Sequence, residues 1–170
     1  NFKNTIIIRP SVVCGNEDSF TNLFAKLSIF PVIPVVKPDY KFQPILVDDV
    51  ATAIVKAVEI KKNEGKIYEI GGPTIISFKD MVKSIVSTIN KKRFIVEMPM
   101  PLAKIQAALF SLMPKPLLTK DQCEILNEAD NVVSNNHLTL KDLNIKPKNV
   151  EQAMPKWLWR FRKGGEFAKI

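Results

Sequence analysis

Short continuous apolar runs alternate with segments of helical spacing along this chain, and that alternation sets the expected architecture. Thr5–Ile8 is a β-branched run, the pattern of a strand buried on both faces in a parallel sheet. Arg9-Pro10 is expected to end its ladder, since proline donates no backbone hydrogen bond. Ser11–Val13 continues extended until Cys14-Gly15-Asn16 breaks it. Asp18 or Ser19 can cap a short helix that aligns Phe20, Leu23, Phe24 and Leu27. The three prolines of Phe30–Pro38 predict a loop with short extended pieces. Lys41–Val47 reads as a strand, followed by a helix capped at Asp48 or Asp49 and running through Ile60. After a turn at Asn63-Glu64-Gly65, Lys66–Ile70 is a second buried strand that leaves through Gly71-Gly72-Pro73. Ser77 caps a helix with Phe78, Met81, Val82, Ile85, Val86 and Ile89 on one side, and Arg93–Glu97 is a further strand. Pro99 and Pro101 introduce an apolar helix to Met113, and Thr119 caps another to about Glu128. Leu138–Leu143, capped by Thr139, and Val150–Arg162 are shorter helical candidates. Strands alternating with helices predict an α/β fold with parallel strands, turning mostly helical after Arg93.

Composition narrows the class. With 46% hydrophobic and 25% charged residues, the 170-residue chain matches a folded protein with a sizeable core. No apolar run approaches the ~20 residues needed to span a bilayer. The chain opens without Met in the approach to a strand, and the expectation is a piece or processed form of a longer protein. The net charge is +8, and Lys141–Ile170 holds eight basic residues against three acidic ones. Such a basic tail suits a protein partner or an anionic lipid surface; a solvated tail is the bland alternative. Nucleic acid is not expected, because no recognised module surrounds the basic residues. Cys14 and Cys123 are far apart without metal or redox spacing, so two free thiols are expected. His137, the single histidine, is expected at the surface.

Five phrases in order carry a resemblance. They are Ile8-Arg9-Pro10-Ser11-Val12-Val13-Cys14-Gly15; Gln43 through Ala51 (QPILVDDVA); Gly65 through Pro73 (GKIYEIGGP); Pro99 through Ala103 (PMPLA); and Leu118 through Gln122 (LTKDQ). The first three resemble the extended and atypical short-chain dehydrogenases, the epimerase/dehydratase superfamily. The last two, with Asp130–Val133 and Pro155–Leu158, are similar to the NAD(P)H-binding accessory subunits of respiratory complex I and their alphaproteobacterial relatives. The resemblance implies the C-terminal part of a Rossmann-like, doubly wound parallel sheet plus a mostly helical substrate-type subdomain. It places the last strands and helices at 1–92 and the helical subdomain with its basic tail at 93–170.

In such a fold the ligand lies beyond the carboxyl ends of the strands. The resemblance therefore implies a cofactor wall at Pro10, Ser11, Val12 and Val13, with the proline ring facing a nicotinamide and the Ser11–Val13 backbone reaching its carboxamide. A strand stopped by proline for packing alone is the bland alternative. NADP or NAD is expected only together with an N-terminal half, supplied in the same or a separate chain. The six glycines, at 15, 65, 71, 72, 164 and 165, form no pyrophosphate-binding turn. Catalytic members of the superfamily pair a Tyr with a Lys four residues on, but Tyr40 is followed at that spacing by Pro44 and Tyr68 by Gly72. No catalytic or metal-ligating residue is assigned. Asp48-Asp49 is read as a helix cap, and Gly71-Gly72-Pro73 as a sharp strand exit. The expected role is a non-catalytic accessory or assembly subunit in the bacterial cytoplasm or mitochondrial matrix, peripheral to the inner membrane. It would bind its N-terminal half and respiratory complex subunits, and its basic tail would suit anionic lipid. A fragment of an NAD(P)-dependent epimerase, dehydratase or reductase and a decayed gene fragment remain as alternatives. Without a companion, the apolar strands are expected to leave an unpaired edge.

Overall fold

The computed structural model describes residues 5–103, 126, 129–134 and 136–167. The helices expected over 101–113 and 119–128, and Cys123, lie wholly or mostly outside them.

Two parallel two-stranded ladders organise the molecule. Strand β1 (Ile7–Pro10) pairs with β6 (Ile67–Ile70), Ile7 opposite Ile67 and Pro10 opposite Ile70. The chain then bends, and β2 (Val13–Cys14) pairs with β5 (Ile45–Leu46), also parallel. β1 ends at Pro10, as expected, though not for want of a ladder donor. Ile7 and Ser11 donate their N–H groups to Lys66 and Ile70, so at a period of two the Pro10 nitrogen faces away from β6, where no ladder bond is lost. Nor is β1 buried on both faces. Ile7, Arg9 and Pro10 are exposed, and the edge away from β6 has no partner among the described residues.

The segment Lys41–Val47 is not one strand. Pro44 separates β4 (Lys41–Phe42), which runs antiparallel to β7 (Ile76–Ser77), from β5, and the two halves join different pairs. Helix α2 (Val47–Glu59) starts one residue before Asp48, with Leu46 in the capping position. Its inner face carries Ala53 and Ala57, both fully buried, and small side chains there let the helix lie close on the strands. With Ile45, Tyr68, Ile70, Leu140 and Leu143 they form one core. The segment expected as a helix over Leu138–Leu143 is a series of turns. Leu138 bridges to Tyr68, and the Asp142 carboxylate takes the Thr139 N–H at 2.7 Å, a local bond that competes with helical winding.

A larger core lies on the other side. The expected loop over Phe30–Pro38 contains a five-residue strand, β3 (Val32–Val36), parallel to β8 (Phe94–Met98) and in register from Val32–Phe94 to Val36–Met98. Tertiary pairing overrides the low strand propensity of Pro34. Helices α1 (Ser19–Leu27) and α3 (Phe78–Thr88) pack beneath it. Asp18 caps α1 by accepting from Thr21 N–H, and Ser77 caps α3 by accepting from Asp80 N–H, as expected. Phe20, Phe24, Tyr40, Phe42 and Phe78 form an aromatic cluster with ring centroids 5.0–5.6 Å apart. Near the C-terminus, α4 (Val150–Ala153), α5 (Pro155–Leu158) and a 3₁₀ turn (Trp159–Phe161) share one buried face: Val150, Met154, Trp157, Leu158 and Phe161. Trp157 Nε1 donates to Thr21 Oγ1 at 3.1 Å, docking this tail on α1. The tail's aromatics at 157 and 161 therefore pack on their own domain, leaving Trp159 exposed.

Candidate functional site

Both clefts of interest open at the carboxyl ends of the parallel pairs, where ligands of doubly wound sheets bind. The smaller, about 150 Å³, is lined by Arg9, Pro10, Ser11, Glu69 and Asp130–Val133. Pro10 is exposed there, but Ser11 is buried and its groups are engaged. Its N–H donates to Ile70 O at 2.9 Å, its hydroxyl donates to Asn131 O at 2.8 Å, and the Gln43 N–H reaches its Oγ at 3.1 Å. Ile45 N–H takes up the Val12 carbonyl. Val12 packs half-buried on the aromatic core, and Val13 borders a different cleft with Gly15 and Asp18. The four residues implied as a cofactor wall thus fall on two sides, and Pro10 is the one whose free face meets the first cleft.

A crossing segment, Ala129–Ser134, roofs that cleft. Asn131 bridges to Phe42, and its N–H donates to Lys41 O at 2.9 Å. Gln43 acts as a double clamp, donating from Nε2 to Gly72 O at 2.8 Å and accepting from Val133 N–H at 3.1 Å. Glu69 holds the far end. Its Oε2 accepts both the hydroxyl and the N–H of Ser134, at 2.5 and 3.0 Å, while its Oε1 lies 3.6 Å from Arg9 and 3.7 Å from His137. The Ser134 hydroxyl, aided by the nearby His137 and Arg9 charges, holds this carboxyl below its ordinary range. His137 is consequently half-buried against Glu69 rather than a free surface residue. The one sequence signal for this hub is a charged residue inside an otherwise apolar strand, Ile67–Ile70. Nothing in the sequence marks Gln43.

The larger cleft, about 780 Å³, lies beyond β2 and β5. Cys14–Asn16, Leu46–Asp48 and Pro73 form its floor, and Lys146, Lys148, Lys156 and Trp157 its far side. Neither acid of the Asp48-Asp49 pair is the α2 cap. Both sit in the helix's first turn, where the dipole favours them. Asp49 is buried and accepts the Lys148 N–H at 2.8 Å, so it ties the 146–149 loop to α2. Burial, with the Asp18 charge nearby, pushes the Cys14 thiol up to about 12, which makes it inert as a nucleophile. At the end of β1, Pro10 sets a rigid face beside a polar, well-anchored loop. Among the described residues no cluster of three or more His, Cys, Asp or Glu could hold a metal, and no helix is long and apolar enough to cross a membrane.

No family model matches the chain. Curated relatives do. It is 33% identical to the mitochondrial NADH dehydrogenase (ubiquinone) 1 alpha subcomplex subunit 9 of Arabidopsis thaliana, over 94% of this chain and 42% of that protein. To the mouse subunit of the same name it is 34% identical, over 88% of this chain and 40% of that protein. The chain is homologous to these complex I subunits. It spans less than half the length of each. Among solved structures, the Thermus thermophilus UDP-glucose 4-epimerase in complex with NAD superposes with a TM-score of 0.62 at 16% identity, covering 93% of this chain and 46% of that one. The Thermotoga maritima UDP-glucose 4-epimerase gives 0.61 at 14%, over 91% and 45%. These likenesses establish the fold: a parallel, Rossmann-like sheet flanked by helices, with a helical subdomain.

Proposed function

We propose that this complex I subunit homologue works as part of a non-catalytic NAD(P)H-binding accessory subunit of the respiratory complex, peripheral to the inner face of a mitochondrial or bacterial inner membrane. The observation that carries the reading is the 33% identity to such a subunit across 94% of the chain. Residues 1–92 supply the last strands of the nucleotide-binding sheet, and 93–170 the helical subdomain that docks on other subunits. Pro10 presents its ring to the nicotinamide of NADP or NAD, and Ser11 holds that wall in place through Asn131 and Gln43, while Val12 and Val13 support it from the other side. When bound, the nucleotide supplies hydride chemistry in enzymes of this fold; here the chain's own groups only position it.

The pyrophosphate-binding part of the fold comes from an N-terminal half in the same or a separate chain. Two features support this. Among the described residues nothing pairs with the Ile8 and Pro10 edge of β1, which leaves room for a further parallel strand. The outer face of α2 exposes Ile54, Val55 and Val58, the last 70% exposed. The tail contributes Lys156, Trp159 and Lys163 to the docking surface for the respiratory subunits; Arg160 and Arg162 are held internally by Asn22 and Thr88.

Titration of NADPH and NADH followed by nucleotide fluorescence tests the cofactor reading. The chain alone should bind neither, and the chain combined with the N-terminal half of a homologous subunit should bind one or both. Tight binding by the chain alone would refute the division of labour. Epitope-tagged chain, expressed with that half, should co-migrate with complex I in native gels; its absence there would refute the accessory-subunit role.

A further inference from the structure

The geometry points to a second surface, at the amino-terminal end of the β3–β8 pair, that docks on an anionic phospholipid bilayer. Because the two strands are parallel and in register, Val32 and Phe94 stand side by side, as do Pro34 and Val96. All four are exposed, Phe94 by 76%. The turn entering β3 adds Ile29 and Phe30, the latter 58% exposed. Apolar side chains gathered at one end of a sheet are seldom left in water without a purpose.

A basic run adjoins this apolar end. Lys91, Lys92 and Arg93 immediately precede Phe94, and with Lys83 they line a cleft of about 460 Å³ beside the end of α3. Their placement is fixed by hydrogen bonds. Arg93 Nε donates to Ser28 O at 2.7 Å, Lys91 Nζ donates to Ser28 Oγ at 3.2 Å, and Phe94 N–H donates to Pro31 O at 3.0 Å. These bonds tie the end of α1 to the start of β8, which brings Ile29 and Phe30 alongside Phe94 with the cations at their rim. Of the nearby acids, Asp80 is already paired with Lys83 at 2.8 Å, and Glu97 lies toward the opposite end of β8. Among the described residues, this end therefore presents exposed aromatic and aliphatic groups beside excess positive charge. That combination matches a bilayer interface, where apolar side chains enter the acyl boundary and Lys or Arg meets anionic headgroups. An acidic protein face would satisfy the cations but leave the projecting phenylalanines without an apolar phase. The C-terminal tail reaches the same end of α3 through Arg162, whose Nε donates to Thr88 O at 2.8 Å, but contributes no lining residue to the cleft.

Sedimentation of the full 170-residue chain with vesicles tests the proposal. Phosphatidylcholine containing roughly a quarter phosphatidylserine should capture the chain, pure phosphatidylcholine should not, and added salt should weaken capture. Phe94→Ser and Phe30→Ser alter exposed side chains and should leave the circular dichroism unchanged while lowering partition about tenfold or more. Lys92→Glu should lower it roughly tenfold, and Lys163→Glu on the tail by less than about twofold. The proposal is overturned if the anionic vesicles capture nothing, if the two serine variants bind like the parent chain, or if Lys163→Glu is the variant that abolishes binding. It is equally overturned if the chain is a dimer that Phe94→Ser dissociates, for then a second copy covers this end. No respiratory subunit is present in the assay, so its outcome and that of the complex I reading are independent.

Discussion

Alanine at position 72 should be far more damaging than a methyl group at a strand exit ordinarily is. Gly72 has no need of a left-handed backbone; it is required because the chain passes so close to Pro44. A Cβ built on it falls inside the van der Waals envelope of the Pro44 carbonyl oxygen and 3.1 Å from that carbonyl's carbon. Both are backbone atoms, so no side chain can rotate away. Separation to ordinary contact requires roughly 1 Å of backbone movement in a close-packed region. That shift would weaken three hydrogen bonds: Gly72 N–H to Gln43 O, Gln43 Nε2 to Gly72 O, and Ile45 N–H to Val12 O. At about 0.5–1.5 kcal/mol each, together with ~1–3 kcal/mol for overpacking, the cost is about 3–7 kcal/mol. Domains commonly have only ~5–15 kcal/mol in total. The melting midpoint should fall by about 10 °C, read by circular dichroism. Gly15→Ala is the matched control. Its Cβ would meet Val47 Cγ1 at 2.8 Å, the end of a half-exposed side chain that can turn aside, so the loss should stay under about 1 kcal/mol. If Gly72→Ala melts within about 2 °C of the parent, or if Gly15→Ala is equally damaging, the close-approach argument is wrong.

Other consequences can be measured on the same material. Tyr68 donates its buried hydroxyl to Asn63 Oδ1 at 2.8 Å, so Tyr68→Phe strands that oxygen and should cost about 1–2 kcal/mol in urea titrations. Trp157→Phe and Thr21→Val should show a coupling of about 1 kcal/mol in a double-mutant cycle, since their side chains share one hydrogen bond. The Glu69 carboxyl is held below its ordinary 4.5 by the Ser134 hydroxyl. Its contribution is therefore present above that value and lost as pH falls through the lower folded-state value. Glu69→Gln should flatten the acid limb of a stability-versus-pH curve, and an unchanged limb would refute the assignment. Cys14, buried and with its thiol raised to about 12, should resist iodoacetamide at pH 8 in the folded chain and react in urea, as followed by peptide mass spectrometry.

Much of the architecture could be read in the sequence because it depends on local periodicity. The spacing of Phe78, Met81, Val82, Ile85, Val86 and Ile89 allows one helical face, and that face is buried. Asp18 and Ser77 cap their helices through bonds that span only three residues. The strand at 67–70, the exit at Gly71-Gly72 and the apolar spacing of the tail were likewise legible, and the ordered phrases around Pro10, Asp48 and Gly71 pointed to the fold that the solved structures share.

What only the tertiary structure decided depends on partners remote in the chain. Val32–Val36, with a proline at its centre, is a strand because β8 lies beside it sixty residues later. Pro10 closes β1 in register with Ile70 at no cost to the ladder because its missing donor faces away from β6. Pro44 divides one expected strand between two pairs, and the buried Asp49 holds a loop a hundred residues away. Ser11 was implied as part of a cofactor wall, yet its groups are turned inward by Asn131 and Gln43. A period of two or 3.6 shows which face of an element is apolar, but not which element will meet it or which polar group will find a distant partner. The cleft at Pro10 and Glu69 is made of such meetings. The sequence supplied its residues, and the packing of β1, β6 and the 129–134 segment made them a site.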